Sequence, residues 1–367
     1  MGKLTGQKRL AIGERPPELS DLILPIDGRP AGKDFLYMEQ LSAADINLYI
    51  QEAVAAESLL HDPTKSGVDL LPRMVLKAVM RQKSTRTGGS MTYAMGKLGG
   101  IGELISGTDE LSEGKGESIP DTWLALAAQS DVIGTRTEEE WGPAYAALVL
   151  DQAFRDGQLP RRVPVINLGD GRWQHPTQAM GDIYTIHKRF PGQLEGLKLV
   201  VVGDHERYRA HHSLMIGAAK LGMDILAVES PVAPIPEEVV EMVGARLVHR
   251  QPYLDAVVAE ADILYMGRNP DEYTGNNKAE KKRSQRLAKA YKKWQVDRIK
   301  LQSMKPEAIV MHPRPRLAEL PTDGDRDPRR VDVEQMANMI AARMAILALQ
   351  AGKSLVEHME SSDDQTA

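Results

Sequence analysis

Seven short apolar stretches, each ending in turn or polar residues, constrain this chain more than any other feature. They read "MVLKAVM", "DVIGTR", "VPVINLGDG", "LKLVVVGDH", "DILAVESP", "ADILYMGR" and "EAIVMHP". Helical patterns such as "TQAMGDIYTIHKRF" and "HSLMIGAAKLG" separate most of them. Short apolar runs bounded by turn residues suit strands buried on both faces. Strands that alternate with helices pair in parallel, because a parallel return needs a crossover long enough to hold a helix. The expectation is therefore an α/β fold. A chain of 367 residues corresponds to about two domains, and there are enough strands for two sheets. Each domain is expected to be a doubly wound parallel sheet flanked by helices. The boundary is placed near the helix that starts after His175 and ends near "FPGQLEG", giving domains of residues 1–185 and 186–330. The amphipathic "DVEQMANMIAARMAILALQAG", within 331–355, is expected to pack back on the first domain. Residues 1–33 are rich in Pro and Gly, and "SAADINLYIQEAVAAESLL" reads as a helix with Ser42 as its N-cap.

Composition removes several classes of function. The formal net charge is -5, so no global basic field draws the chain to nucleic acid or an anionic membrane. There is no cysteine, which excludes disulfides, thiolate metal sites and a Cys nucleophile. No apolar run approaches the roughly 20 residues that span a bilayer. The start "MGKLTGQKRL" lacks the apolar core of a signal peptide, and Gly6 breaks the myristoylation pattern. A soluble cytoplasmic protein is expected. The one charge run, residues 278–293, sets eight basic residues against Glu280. It reads as a solvated helix face or surface insertion in preference to a polyanion patch.

In open parallel sheets, ligands bind beyond the carboxyl ends of the strands. That rule selects "STRT" (Ser84, Thr85, Arg86, Thr87), Arg136, "GDGRWQHPTQ", "GDHERYRAHHS", Arg268 and "HPRPR". Arg, His and hydroxyls outnumber carboxylates there, which suits a substrate with several negative charges. A helix start offers backbone N–H groups to an anion, and Arg86 can grip a phosphate with two bonds. The same tetrapeptide also reads as plain Ser/Thr capping beside a surface Arg. His175 and Gln178 lie three apart at a helix entry, with Pro176 where early helix tolerates it. His175 could donate to a carbonyl oxygen or be a satisfied structural histidine. Arg136 could be a strand-end surface residue, and "HPRPR" a stiff connector. "GGIG" at 99–102 does not read as strand, turn, helix, so no dinucleotide loop is inferred. No Walker pattern exists, and adjacent His211 and His212 would splay apart on a helix. No metal and no cofactor is expected.

Taken together and in order, "STRT", "GKGES", "TR", "HPTQ", "GDHERYRAHHSL" and "HPRPR" resemble the landmarks of the aspartate/ornithine carbamoyltransferase family, from about residue 35 to 355. "HPTQ" with "HPRPR" is similar to its aspartate-specific members. The resemblance implies that residues 1–185 bind carbamoyl phosphate and residues 186–330 bind the amino acid. It implies that Ser84, Thr85, Arg86 and Thr87 hold the phosphate, and that Thr87, Arg136 and His175 polarise the carbonyl. Gln178 and the carbonyls near Pro313 and Arg314 would hold the carbamoyl NH2. Arg209 and Arg268 would pair with the carboxylates of L-aspartate. A homotrimer is implied, with Lys115 of "LSEGKGES" reaching a neighbour's site. Whether a regulatory subunit binds is not readable. Two segments depart from the family pattern. Arg81, Gln82 and Lys83 replace the usual aromatic and acidic residues before "STRT". Pro270 follows Arg268 where a Gln is usual, without the usual Glu-Arg pair. A carbamoyltransferase for another amine such as ornithine, or a non-catalytic anion-binding relative, are the rival readings.

Overall fold

The structure is a computed structural model that describes residues 23–61, 67–107, 116–269 and 278–364. The strands are β1 (Val75–Met80), β2 (Ile101–Ser106), β3 (Val132–Thr137), β4 (Val165–Asp170), β5 (Lys198–Gly203), β6 (Asp224–Glu229), β7 (Leu247–Gln251), β8 (Ile263–Met266) and β9 (Ile309–Met311). The helices are α1 (Ala43–His61), α2 (Thr85–Lys97), α3 (Ile119–Ala127), α4 (Gly142–Arg155), α5 (Pro176–Arg189) and α6 (Arg209–Lys220). Then come α7 (Glu237–Val243), α8 (Lys278–Lys293), α9 (Arg298–Ser303), α10 (Asp332–Gln350) and α11 (Leu355–Asp364).

The chain forms two compact units. One holds residues up to Thr177 and from Ile340 onward, and the other runs from Gln178 to Met339. Both divisions fall inside helices, α5 and α10. The first unit has a four-stranded sheet in the order β2-β1-β3-β4, and the second a five-stranded sheet in the order β7-β6-β5-β8-β9. Every strand pair is parallel, as the alternation of strand and helix requires. All seven expected apolar stretches are strands. The two strands that the apolar pattern does not mark, β2 and β7, are sheet edges with mostly exposed residues. An edge strand facing water has no reason to be an apolar run.

Burial explains why the other strands are so apolar. Leu76, Ala78, Ile133 and Ile166 are fully buried in the first unit. Val200, Val202, Leu264 and Val310 share one core in the second with Leu287, Tyr291 and Trp294. Helix starts follow local chemistry. Ser42 opens α1 as expected: its Oγ accepts the Asp45 N–H at 3.1 Å, and the Asp45 carboxylate accepts the Ser42 N–H at 2.8 Å. Ser118 accepts the Asp121 N–H at the start of α3, with proline in the first turn.

Candidate active site

In the first sheet the strand order reverses between β1 and β3, which are neighbours although β2 lies between them in sequence. At such a switch point the two connections leave to opposite sides and open a crevice beyond the strand ends. The register sets Met80, the last residue of β1, beside Arg136 of β3. "STRT" and Arg136 therefore emerge together. Ser84 has extended backbone and caps α2, its Oγ accepting the Thr87 N–H at 3.4 Å. Thr85 and Arg86 form the first turn, with Arg86 exposed and Thr87 buried. A helix start of this kind offers backbone donors to an anion, one of which, the Thr87 N–H, is shared with the Ser84 cap.

Arg136 is gripped twice by one residue. Its Nε donates to Gln82 Oε1 at 3.0 Å, and its carbonyl accepts the Gln82 N–H at 3.2 Å. On its other side the register of β3 and β4 shifts between Thr135↔Asn167 and Thr137↔Asp170. Leu168 and Gly169 thus face Arg136 alone, a bulge of the kind that re-aims a side chain. Beyond β4, His175 is buried just before α5, with Nδ1 3.3 Å from the Thr177 hydroxyl. When that hydroxyl donates to Nδ1, the ring proton sits on Nε2, which becomes the donor of the ring. The phosphate-binding and carbonyl-polarising residues expected from sequence thus come from the ends of three adjacent strands.

The second sheet reverses between β5 and β8. Arg209 is the first residue of α6 and largely buried, and Arg268 follows β8 by two positions. Arg268 Nη1 donates to the Asn269 carbonyl at 3.0 Å. The turn that leads from β5 to Arg209 is heavily tied. Asp204 is fully buried and accepts from Arg207 Nε at 2.7 Å, while the Asp204 N–H donates to the Tyr291 hydroxyl at 3.0 Å. Tyr291 belongs to α8, the expected charge run. That helix buries Leu287 and Tyr291 and leaves most of its lysines in water.

After β9, His312 organises the chain. The Arg314 N–H donates to His312 Nδ1 at 2.8 Å, so that nitrogen carries no proton and Nε2–H donates to Glu319 at 2.9 Å. Burial pushes the His312 imidazole below its usual range. Burial also works against ionising Glu319, but hydrogen bonds from His312 and the Leu317 N–H outweigh it and hold that carboxyl low. Arg314 has left-handed backbone, φ 53°, and its guanidinium pairs with Asp332 at 2.5 Å. Its side chain is committed, and the backbone carbonyls of Pro313 and Arg314 are held by a fixed frame. Gln178 is linked to the same frame. Its amide nitrogen donates to Asp182 at 2.8 Å, Gln335 donates to the same carboxylate at 2.6 Å, and Gln335 accepts the His312 N–H at 2.8 Å. With its NH2 used this way, Gln178 presents its carbonyl oxygen as an acceptor.

Lys115 lies outside the described residues. "GGIG" sits on the turn entering β2, ahead of a strand. Gln82, Asp182, Gln335 and Asp332 orient the selected residues but are not marked in the sequence. The only hint was the unusual "RQK" before "STRT".

Residues 33–188 match the carbamoyl-P binding domain of the aspartate/ornithine carbamoyltransferase family, and residues 195–350 match its Asp/Orn binding domain. The chain belongs to this family. Among aspartate carbamoyltransferase catalytic subunits, it is 31% identical over 323 residues to that of Thermococcus onnurineus, covering 88% of this chain and 97% of the relative. It is 31% identical over 343 residues to that of Methanothermobacter thermautotrophicus, covering 91% and 98%. In structure it resembles aspartate transcarbamoylase from Trypanosoma cruzi in complex with carbamoyl phosphate and aspartate. That match has a TM-score of 0.75 and 28% identity, covering 88% of this chain and 96% of the other. The family's two binding domains thus correspond to the two sheets, each with its polar cluster at a switch point.

Proposed function

We propose that this carbamoyltransferase moves the carbamoyl group of carbamoyl phosphate to the α-amine of L-aspartate, giving N-carbamoyl-L-aspartate and phosphate. One observation carries the reading. Ser84, Thr85, Arg86 and Thr87 follow β1, Arg136 lies on β3 beside the end of β1, and His175 follows β4, at the carboxyl ends of three adjacent strands, in a chain similar along most of its length to aspartate carbamoyltransferase catalytic subunits. Ser84, Thr85, Arg86 and Thr87 hold the phosphate at a helix start. Thr87, Arg136 and His175 donate to the carbonyl oxygen. The acceptor amine attacks the carbonyl carbon, a C–N bond forms, and negative charge builds on that oxygen, where the donors stabilise it. The intermediate collapses as the C–O bond to phosphate breaks, and phosphate leaves with the proton of the amine. Gln178 Oε1 and the carbonyls of Pro313 and Arg314 accept from the carbamoyl NH2. Arg209 and Arg268 pair with the aspartate carboxylates. No protein nucleophile takes part, so catalysis rests on positioning and electrostatics.

The departure after Arg268 keeps a second reading in view, in which the acceptor is another amine such as ornithine. Incubating the protein with carbamoyl phosphate and L-aspartate, L-ornithine or related amines, and measuring phosphate and ureido product, decides between them. Product with aspartate is expected. Product with another amine alone would move the specificity, and carbamoyl phosphate binding without any product would indicate a non-catalytic relative. We also propose a homotrimer, the assembly that the resemblance to the family implies. Light scattering tests it, with the mass of three chains expected.

A further inference from the structure

Gly267 lies between β8 and Arg268, and nothing in its backbone demands glycine, since its φ is outside the left-handed region. What excludes a side chain there is His211, on α6. A Cβ on Gly267 would lie 2.3 Å from His211 Nε2, 2.5 Å from its Cε1 and 3.0 Å from Tyr208 Cδ1. Other rings flank the His211 ring. Its centroid is 4.8 Å from that of His205, 4.7 Å from Tyr208 and 5.8 Å from Tyr265. On the neighbouring strand, a Cβ on Gly203 would meet the same ring at 3.0 Å. The imidazole therefore fills the space where a side chain at 267 would sit, at the β5/β8 switch point.

The ring is also costly to keep. It is fully buried, and neither nitrogen has a hydrogen-bond partner among the described residues. Burying polar atoms unpaired is unfavourable, and an apolar side chain of similar size would avoid that cost. Burial, with His205 and His212 beside it, holds the imidazole well below its usual pKa, so it packs as a neutral plate. Stability alone does not account for a histidine here.

We infer that His211 is a positioning residue for acceptor use: by occupying the side-chain space of residue 267, it sets the path on which Arg268 leaves β8. The inference rests on the reading that Arg268 binds the acceptor. It makes His211 and Gly267 a coupled pair, in which a change at one is repaired at the other.

A double-mutant cycle tests the pair. Gly267→Ala is expected to raise the KM for the acceptor about tenfold, within the range for residues in contact, with the KM for carbamoyl phosphate little changed. The double variant His211→Val/Gly267→Ala, which removes the ring that the new methyl meets, is expected to return the acceptor KM to within about threefold of wild type. A loss confined to melting temperature, or a double variant no better than Gly267→Ala, overturns the inference. If Gly267→Ala does not fold, the double variant still decides: a near-wild-type acceptor KM supports the pair and a raised one overturns it. The aspartate reading fails separately, on the wild type. If wild type uses another amine, the cycle is read on that amine. If it uses none, there is no acceptor role for His211 and the inference falls.

Discussion

The strand ends of the first unit and those of the second are built from the same elements by different means. At β1, β3 and β4 the groups come from short contiguous segments, and a helix start supplies much of the field for an anion. At β5, β8 and β9 they are held by buried side chains: Asp332 pairs with Arg314, Asp182 is shared by Gln178 and Gln335, and His205, His211 and His312 are fully buried. Recognition of a phosphate needs little beyond backbone N–H groups and a guanidinium in the right place. Distinguishing one amino acid from another needs side chains fixed at a particular spacing, and the match to the family's Asp/Orn binding domain, residues 195–350, covers β5 to β9. The first set should therefore control chemistry and the second set selectivity.

The largest expected effect lies in the first set. His175→Ala should lower kcat roughly 10²–10³-fold, the usual cost of removing one oxyanion donor. Melting temperature should change little by comparison. A kcat within twofold of wild type would break the comparison, because the first set would then bind without contributing to the chemistry.

A second expectation concerns the frame of the second unit. Burial pushes the His205 imidazole down to about 4 from 6.5. Between those values the unfolded chain binds a proton that the folded chain does not. This group's contribution is thus fully present above pH 6.5 and is lost as pH falls toward 4. It amounts to roughly 3 kcal/mol at the acid end. Urea midpoints should fall from pH 7 to 5, and fall less in His205→Gln, whose amide can still donate to the Val228 carbonyl that His205 Nε2 faces at 3.1 Å. Equal falls in the two proteins would show that His205 does not carry the acid sensitivity.

Arg268→Ala sharpens the division of labour. A charged hydrogen bond contributes about 1.5–3 kcal/mol, so the acceptor KM should rise roughly 10–100-fold while carbamoyl phosphate affinity is retained. Isothermal titration with carbamoyl phosphate and steady-state kinetics with varied acceptor separate the two quantities. Equal loss of both would mean that Arg268 is not an acceptor residue.

The same contrast explains what could be read in the sequence. The seven strands found by their apolar runs are those with buried side chains, whereas β2 and β7, with mostly exposed patterns, carry no such mark. "STRT" was legible because its parts are adjacent and a capped helix start is a local event. Gln82 was not, since its partner Arg136 lies 54 positions away. Nor was Asp182, joined to Gln335 across 153 positions. Single polar residues acquire such roles only when the sheet order brings them together, and strand order is not a local property. The His211–Gly267 pair is of this kind: in the sequence, one is half of a histidine doublet and the other an unremarked glycine.

The smallest expected effect separates the two readings of "STRT" that the sequence left open. As a plain N-cap, Ser84 contributes about 1 kcal/mol or less, and its 3.4 Å bond to the Thr87 N–H points to the low end. Ser84→Ala should therefore lower the melting temperature only slightly. Ser84→Asp should keep the melting temperature near wild type, because aspartate caps as well as serine and suits a helix start. If the hydroxyl faces the phosphate, however, the new carboxylate repels it, and carbamoyl phosphate binding should weaken far more in Ser84→Asp than in Ser84→Ala. Equal binding by the two variants would leave Ser84 as a cap alone, with recognition of the anion resting on Arg86, Thr87 and the backbone of α2.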